Sequence, residues 1–272
     1  NYFYPDLPKG YQITQYEQPL AEHGRLEIDT PQGPRAIRVR RVHLEEDAAK
    51  LTHIQRSDER CTLVDLNRAG VPLLEIVSEP DLRTVEEVRA YAGGLRQVLR
   101  YLGVNSGDMQ KGMIRFEANI SLRPPGSAGL GTRVEIKNLN SFRALERASA
   151  YEIARQAALL ERGEKVRQET LGWDEAEEIT YTQRSKEEAH DYRYFPEPDL
   201  PPLVVDEAWL ERVAGSLPEM PRARVQRFIR QYQLSPADAR LLTSELDWAA
   251  YFEECARLAP DQIGRASCRE RV

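Results

Sequence analysis

The chain has 272 residues and a formal net charge of −6, from 38 Lys and Arg against 44 Asp and Glu. That length allows one large domain and a small one, and the mildly acidic balance argues against a generic nucleic-acid binder, so an RNA partner would need local cationic patches or another subunit. No apolar run is long enough to span a membrane, no signal peptide is visible, and Cys61, Cys255 and Cys268 show no disulfide or metal-ligand spacing, so a reducing, cytoplasmic setting is the expectation.

Residues 35–47 read as a strand. Ile37 and Val39 alternate, then Val42 and Leu44, and the slip of one between the pairs predicts a β-bulge at Arg40 and Arg41. Past the slip His43 and Glu45 share one face, Glu46 takes the other, and Asp47 ends the strand. His23 and His53 read as loop residues, and Cys61 has no base placed to make it a nucleophile. Residues 72–79 form a further strand, with Leu73, Glu75, Val77 and Glu79 on one side. A Glu among Leu, Ile and Val is costly to bury unpaired. Glu75 is therefore an edge residue facing water or the partner of a cation, and the number of carboxylate-bearing segments favours the cation.

Residues 85–102 carry Val88, Tyr91, Ala92, Leu95, Val98, Leu99 and Leu102 at helical spacing, with Gly103 as the stop. Residues 113–140 then read as two strands around a turn with Pro124, Pro125, Gly126, Gly129 and Gly131, which suggests an antiparallel pair. Ile114, Phe116, Ala118, Ile120 and Leu122 alternate against Arg115, Glu117, Asn119 and Ser121; Val134 and Ile136 alternate against Arg133, Glu135 and Lys137. The ionic side is either a solvated face or a floor for metal-bound phosphate, with carboxylates on the cation and Arg and Lys on phosphoryl oxygens. Magnesium suits these carboxylates; zinc does not, since no histidines or cysteines have its spacing.

Residues 145–162 repeat the helical pattern and stop at Gly163, and both helices are expected to cover the apolar side of the sheet. Pro196, Pro198, Pro201 and Pro202 make an extended link. Arg193, just before it, either binds phosphate or pairs with Asp191 or Glu197. Four short helices follow at 206–214, 221–231, 236–243 and 246–258, with Trp209, Phe228, Tyr232 and Trp248 as their expected shared core. The Walker and dinucleotide-binding glycine fingerprints are both absent.

Several long motifs carry a resemblance. They are Asn-Tyr-Phe-Tyr-Pro-Asp-Leu-Pro-Lys-Gly-Tyr-Gln at 1–12, His-Leu-Glu-Glu-Asp at 43–47, Val-Asp-Leu-Asn-Arg at 64–68, Pro-Leu-Leu-Glu-Ile-Val-Ser-Glu-Pro-Asp at 72–81, Glu-Ile-Lys-Asn-Leu-Asn-Ser-Phe at 135–142 and Asp-Tyr-Arg-Tyr-Phe-Pro-Glu-Pro-Asp-Leu at 191–200. In order and collinear to about residue 260, they resemble the GatB/GatE family, the B subunits of aspartyl/glutamyl-tRNA(Asn/Gln) amidotransferases. The resemblance implies an α+β fold: a glutamine-synthetase-like catalytic domain over 1–205, an antiparallel sheet with helices on one face, then a small helical domain over 206–260. Residues 261–272 resemble a cloning scar. Family members begin with a Gly-x-Glu-x-His-x-Gln-Leu strand, so a catalytic domain truncated at its N-terminus, and lacking the family's tail domain, is the expectation.

The implied reaction phosphorylates the side-chain carboxylate of Glu-tRNA(Gln) or Asp-tRNA(Asn) with ATP and Mg²⁺, and then amidates it. Ammonia comes from a glutaminase A subunit, and a small C subunit completes the complex. Carried onto this sequence, the metal ligands fall among His43, Glu45, Glu46, Glu75 and Glu117. The catalytic groups are Arg115, Asn119, Glu135 and Lys137, and the nucleotide contacts are Arg115, Lys137, Asn138 and Arg193. Glu45, Glu75, Arg115, Glu135 and Lys137 are expected to converge on one cavity. The chain departs from the family at Ala49, where Gly is usual, and at Glu117, where Asp is usual. A noncatalytic tRNA-binding scaffold and a magnesium-dependent phosphohydrolase are the alternative functions.

Overall fold

A computed structural model of the chain describes residues 2–3, 7–56, 59–185 and 196–258. Arg193 and residues 261–272 lie outside the described residues. By internal contacts the chain divides into two compact units, Asn1–Arg83 with Glu187–Val204, and Thr84–Lys186 with Val205–Val272. The division changes units at 83–84, 186–187 and 204–205, the last of these beside the expected boundary at 205–206.

In the first unit, β1 (Tyr2–Phe3) pairs antiparallel with β2 (Tyr11–Gln12). β3 (Ala21–Thr30), β4 (Gly33–Glu46) and β7 (Pro72–Ser78) form an antiparallel sheet with β4 in the middle; β5 (Lys50–Arg56) and β6 (Glu59–Asp65) make a separate hairpin. Ile28 and Ile37 are the buried apolar anchors of the three-stranded sheet. The expected bulge is present: Val39 faces Ser78 and Arg41 faces Val77, which leaves Arg40 as the extra residue. His23 and His53 are strand residues, not loop residues, lying in β3 and β5. In β3 only Leu26 and Ile28 alternate, and in β5 Leu51 and Ile54 stand three apart, so apolar periodicity does not reach either histidine.

The strap after β7 is held by cross-strand charge. Arg38 grips Asp81 through Nε at 2.8 Å and Nη2 at 2.6 Å, and Arg40 grips Glu79 through two bonds of 3.0 Å. The hydrogen bonds from Arg38 hold the Asp81 carboxyl down at about 2, against an ordinary 3.8. A folded value below the unfolded one adds stability above the unfolded pKa and loses it as pH falls through the folded one. Asp81→Asn is therefore expected to flatten the acid limb of the stability curve between about pH 4 and pH 2, read by urea unfolding across that range. An unchanged limb would show that the pair carries no net stability.

The second unit opens with α1 (Val85–Tyr101), capped by the Thr84 side chain, which accepts from the Glu87 amide. Its end is Leu102, and Gly103 takes the left-handed conformation at φ 66° that closes the last turn. β8 (Phe116–Ile120) and β9 (Val134–Leu139) are the expected antiparallel pair, and Gly131 passes so close to the Leu122 carbonyl that no Cβ has room there. α2 (Phe142–Glu161), capped by Ser141, leads to β10 (Glu169–Asp174) and β11 (Ile179–Ser185). The strand order is β11-β10-β9-β8.

Two features correct the expectation of one antiparallel sheet. The strands around Glu75 and those around Lys137 belong to different sheets, and β10 runs parallel to β9. The parallel pair follows from α2, which returns the chain to the end where β9 began. The helices do cover the apolar face of this second sheet: Ala92 of α1 and Ala144, Leu145 and Ala148 of α2 pack with Ile136 and Leu139.

α3 (Glu207–Ser216), α4 (Pro221–Tyr232), α5 (Pro236–Leu242) and α6 (Leu246–Leu258) lie near the expected positions. α4, α5 and α6 share a core of Phe228, Leu234, Ala239, Ala249, Phe252 and Ala256, with Tyr232 packed against it, while α3 buries no residue. Trp209 and Trp248 do not join it, being 41% and 56% exposed. Small alanines bring α4, α5 and α6 close enough for Phe252 to fill the centre instead. The Gln97 side chain and the Tyr101 hydroxyl donate to the Thr243 carbonyl, tying α1 to the end of α5.

Candidate active site

In the first unit, the β4–β7 register sets His43 directly opposite Glu75. Residues opposite each other in an antiparallel pair share a face, and the two-residue strand period puts Glu45 beside them. The His43 Nε2 lies 3.0 Å from Glu45 Oε1 and 3.2 Å from Glu75 Oε2. One ligand atom from each of the three residues falls within 4.8 Å of the others. The His43 side chain is 4% exposed and that of Glu75 is 50% exposed, so the cluster runs from the interior to the surface. Glu75 stands on the edge strand β7, half exposed to water, with the His43 ring as its neighbour. The Thr14 hydroxyl, in a one-residue bridge to the β4 end, donates to Glu45 Oε1 at 2.8 Å.

Glu46 points away from this group. Its carboxylate takes Lys9 Nζ and, at 2.7 Å, the Ile13 amide. It thereby anchors the segment before β3 to the end of β4.

The second unit carries the ionic face. Lys137 Nζ lies 3.6 Å from Glu117 and 3.7 Å from Glu135. Glu135 is further held by the Thr170 hydroxyl at 3.0 Å, and Asn119 is its cross-strand neighbour. Partial burial pushes the Glu117 carboxyl up from its ordinary range; the Lys137 ammonium opposes this and the Glu135 charge adds to it. Arg115 is exposed just before β8, and Asn138 is exposed beside Lys137 at φ 61°. Asn138 follows a register shift: Phe116 faces Leu139 and Ala118 faces Ile136, so β9 has one residue more than β8 between these pairs.

The expected residues thus fall into two groups, one in each unit. His43, Glu45 and Glu75 come together in the first; Glu117, Asn119, Glu135 and Lys137 come together in the second, with Arg115 and Asn138 on the same stretch. Thr14 and Thr170 were not anticipated. Each touches a carboxylate distant in sequence, and neither stands in a clear apolar alternation. The β9 bulge did have a signal: Val134, Ile136 and Leu139 are apolar with spacing two and then three.

An α+β chain with ionic strand faces of this kind has a family match. Residues 1–211 match the model of the GatB/GatE catalytic domain, and the chain belongs to that family. It is 59% identical to the B subunit of the aspartyl/glutamyl-tRNA(Asn/Gln) amidotransferase of Myxococcus xanthus, over 94% of this chain and 53% of that protein. The same-named proteins of Carboxydothermus hydrogenoformans and Thermotoga maritima are each 53% identical, over 94% and 95% of this chain and 54% of theirs. The chain spans about half the length of the curated relatives it matches. Among the described residues, no helix is long and apolar enough to cross a membrane.

Proposed function

We propose that the full-length protein activates the side-chain carboxylate of Glu-tRNA(Gln), Asp-tRNA(Asn) or both with ATP, for amidation by ammonia from a partner glutaminase. The observation that carries this reading is the His43, Glu45 and Glu75 cluster within a chain matched to a GatB/GatE catalytic domain. The relatives' names give tRNA amidotransferase as their class, and the proposal extends it to this chain, with A and C subunits as partners and the cytoplasm as its place.

A carboxylate is a poor electrophile until one oxygen becomes a leaving group. In the proposed reaction its oxygen attacks the γ-phosphorus and ADP departs, giving an acyl phosphate. Ammonia then attacks the carbonyl carbon, loses a proton and expels phosphate. Such a transfer needs positioning and charge neutralisation more than covalent help from the protein. Lys137 and Arg115 would neutralise phosphoryl oxygens. Glu135, fixed by Thr170, and Glu117 would hold the Lys137 ammonium in place. Asn119 offers an amide on the same strand face, and Arg193 is assigned to phosphate by family likeness alone.

The donor set fits a divalent cation. Two carboxylates suit hard Mg²⁺, His43 adds a nitrogen, and Thr14 fixes Glu45. When bound, Mg²⁺ would offset phosphate charge. Glu45 and Glu75 would hold it, whereas Glu46 is engaged with Lys9. Mn²⁺ binding to the full-length protein, read by electron paramagnetic resonance, should weaken at least about tenfold with Glu75→Gln and stay unchanged with Glu46→Gln. Equal affinity in wild type and Glu75→Gln would leave the trio as a structural pairing only.

A further inference from the structure

Ile136 and Leu139 are both 0% exposed although they are three residues apart on one strand. A regular strand would turn them to opposite faces. The extra residue in β9 resolves the conflict, and Asn138 supplies it by adopting φ 61°. Both apolar side chains then reach the core, while Lys137 and Asn138 between them stay off it; a flat strand would drive Asn138 inward and turn Leu139 out. Leu139 cannot yield easily, because Ser141 two residues later caps α2. Positive φ is uncommon outside glycine, and Asn is among the few residues that tolerate it. Bulges of this kind re-aim neighbouring side chains. Here the neighbour is Lys137, held between Glu117 and Glu135.

We infer that Asn138 is a positioning residue: its left-handed backbone holds the β9 bulge that aims Lys137, and its amide is not a nucleotide ligand. The inference rests on the proposed reaction for the part that concerns rate. It reverses the role that family likeness assigned to this side chain.

The two roles order the variants differently. Glycine keeps the backbone conformation and discards the amide; alanine and valine discard both, and valine resists positive φ most. In the full-length complex, Asn138→Gly should keep tRNA-dependent ATP cleavage within about threefold of wild type, while Asn138→Ala and Asn138→Val lose at least about tenfold. In a Lys137→Ala background the valine substitution should add less than about twofold, since it acts through Lys137. A second readout does not need activity. The acetylation rate of Lys137 with acetic anhydride, followed by peptide mass spectrometry in folded protein, should match between wild type and Asn138→Gly. It should change at least about threefold in Asn138→Ala, which serves if the valine variant does not fold. Loss of activity in Asn138→Gly equal to that in Asn138→Ala, or unchanged Lys137 acetylation in Asn138→Ala, would overturn the inference. A wild-type complex without tRNA-dependent cleavage would sink the proposed reaction but leave the acetylation comparison to decide the bulge.

Discussion

Replacing Glu152 with alanine is expected to lower the unfolding free energy by about 3 kcal/mol. Glu152 and Gln156 are both 0% exposed on α2. Glu152 accepts from Arg155 at 2.8 and 2.9 Å and from Gln156 at 2.7 Å. Gln156 in turn donates to the Ile120 carbonyl and accepts from the Leu122 amide, so the network locks α2 onto the end of β8. Breaking a buried ion pair typically costs about 3–5 kcal/mol. The lower end applies because Arg155 is 28% exposed and keeps Glu169 at 3.0 Å. Glu152→Gln, which preserves volume and one acceptor, should cost about 1–2 kcal/mol. Urea unfolding of the three proteins checks the order. A loss under about 1 kcal/mol for the alanine variant would mean that desolvation of Glu152 already cancels its bonds.

The largest effect on activity is expected at the ionic clusters. In the full-length complex, Lys137→Ala should slow carboxylate phosphorylation by about 10²–10³, the usual cost of one preorganised charge-stabilising donor. Glu75→Gln should lower the rate at least as far while leaving tRNA binding nearly intact. Glu75 is half exposed on an edge strand, so its amide variant should keep the fold with little loss of stability. Single-turnover assays with circular dichroism separate the cases. A folded Lys137→Ala protein with wild-type rate would remove Lys137 from the site.

Much of this was legible in the residues, for identifiable reasons. The slip between Val39 and Val42 exposed the first bulge because both flanking runs are apolar enough to show a phase. The β4 pattern also put His43 and Glu45 on one face, and the register then added Glu75. β3 and the β5–β6 hairpin stayed hidden because β3 offers only Leu26 and Ile28 in alternation, and Leu51 and Ile54 of β5 stand three apart. The parallel β10 was hidden for another reason: strand direction is set by the α2 crossover, which no local pattern encodes. In the helical core Phe228 and Tyr232 take the expected places, but size also suggested Trp209 and Trp248, whereas close helix packing selected Phe252. Nothing in the sequence marks Glu152 and Gln156 as interior; Gln156 is buried against the backbone of Ile120 and Leu122, and Glu152 against Gln156 and Arg155.

The most direct measurement of the proposed activity is ATP cleavage by the full-length complex with mischarged tRNA and no ammonia source. Release of ADP should require Glu-tRNA(Gln) or Asp-tRNA(Asn), and should fall to background with uncharged tRNA. Adding ammonia should convert the side-chain acyl phosphate to the amide of Gln-tRNA or Asn-tRNA, with release of phosphate. Cleavage at the same rate without mischarged tRNA would indicate a phosphohydrolase, and tRNA binding with no cleavage at all would indicate a scaffold; either result would contradict carboxylate activation by this protein.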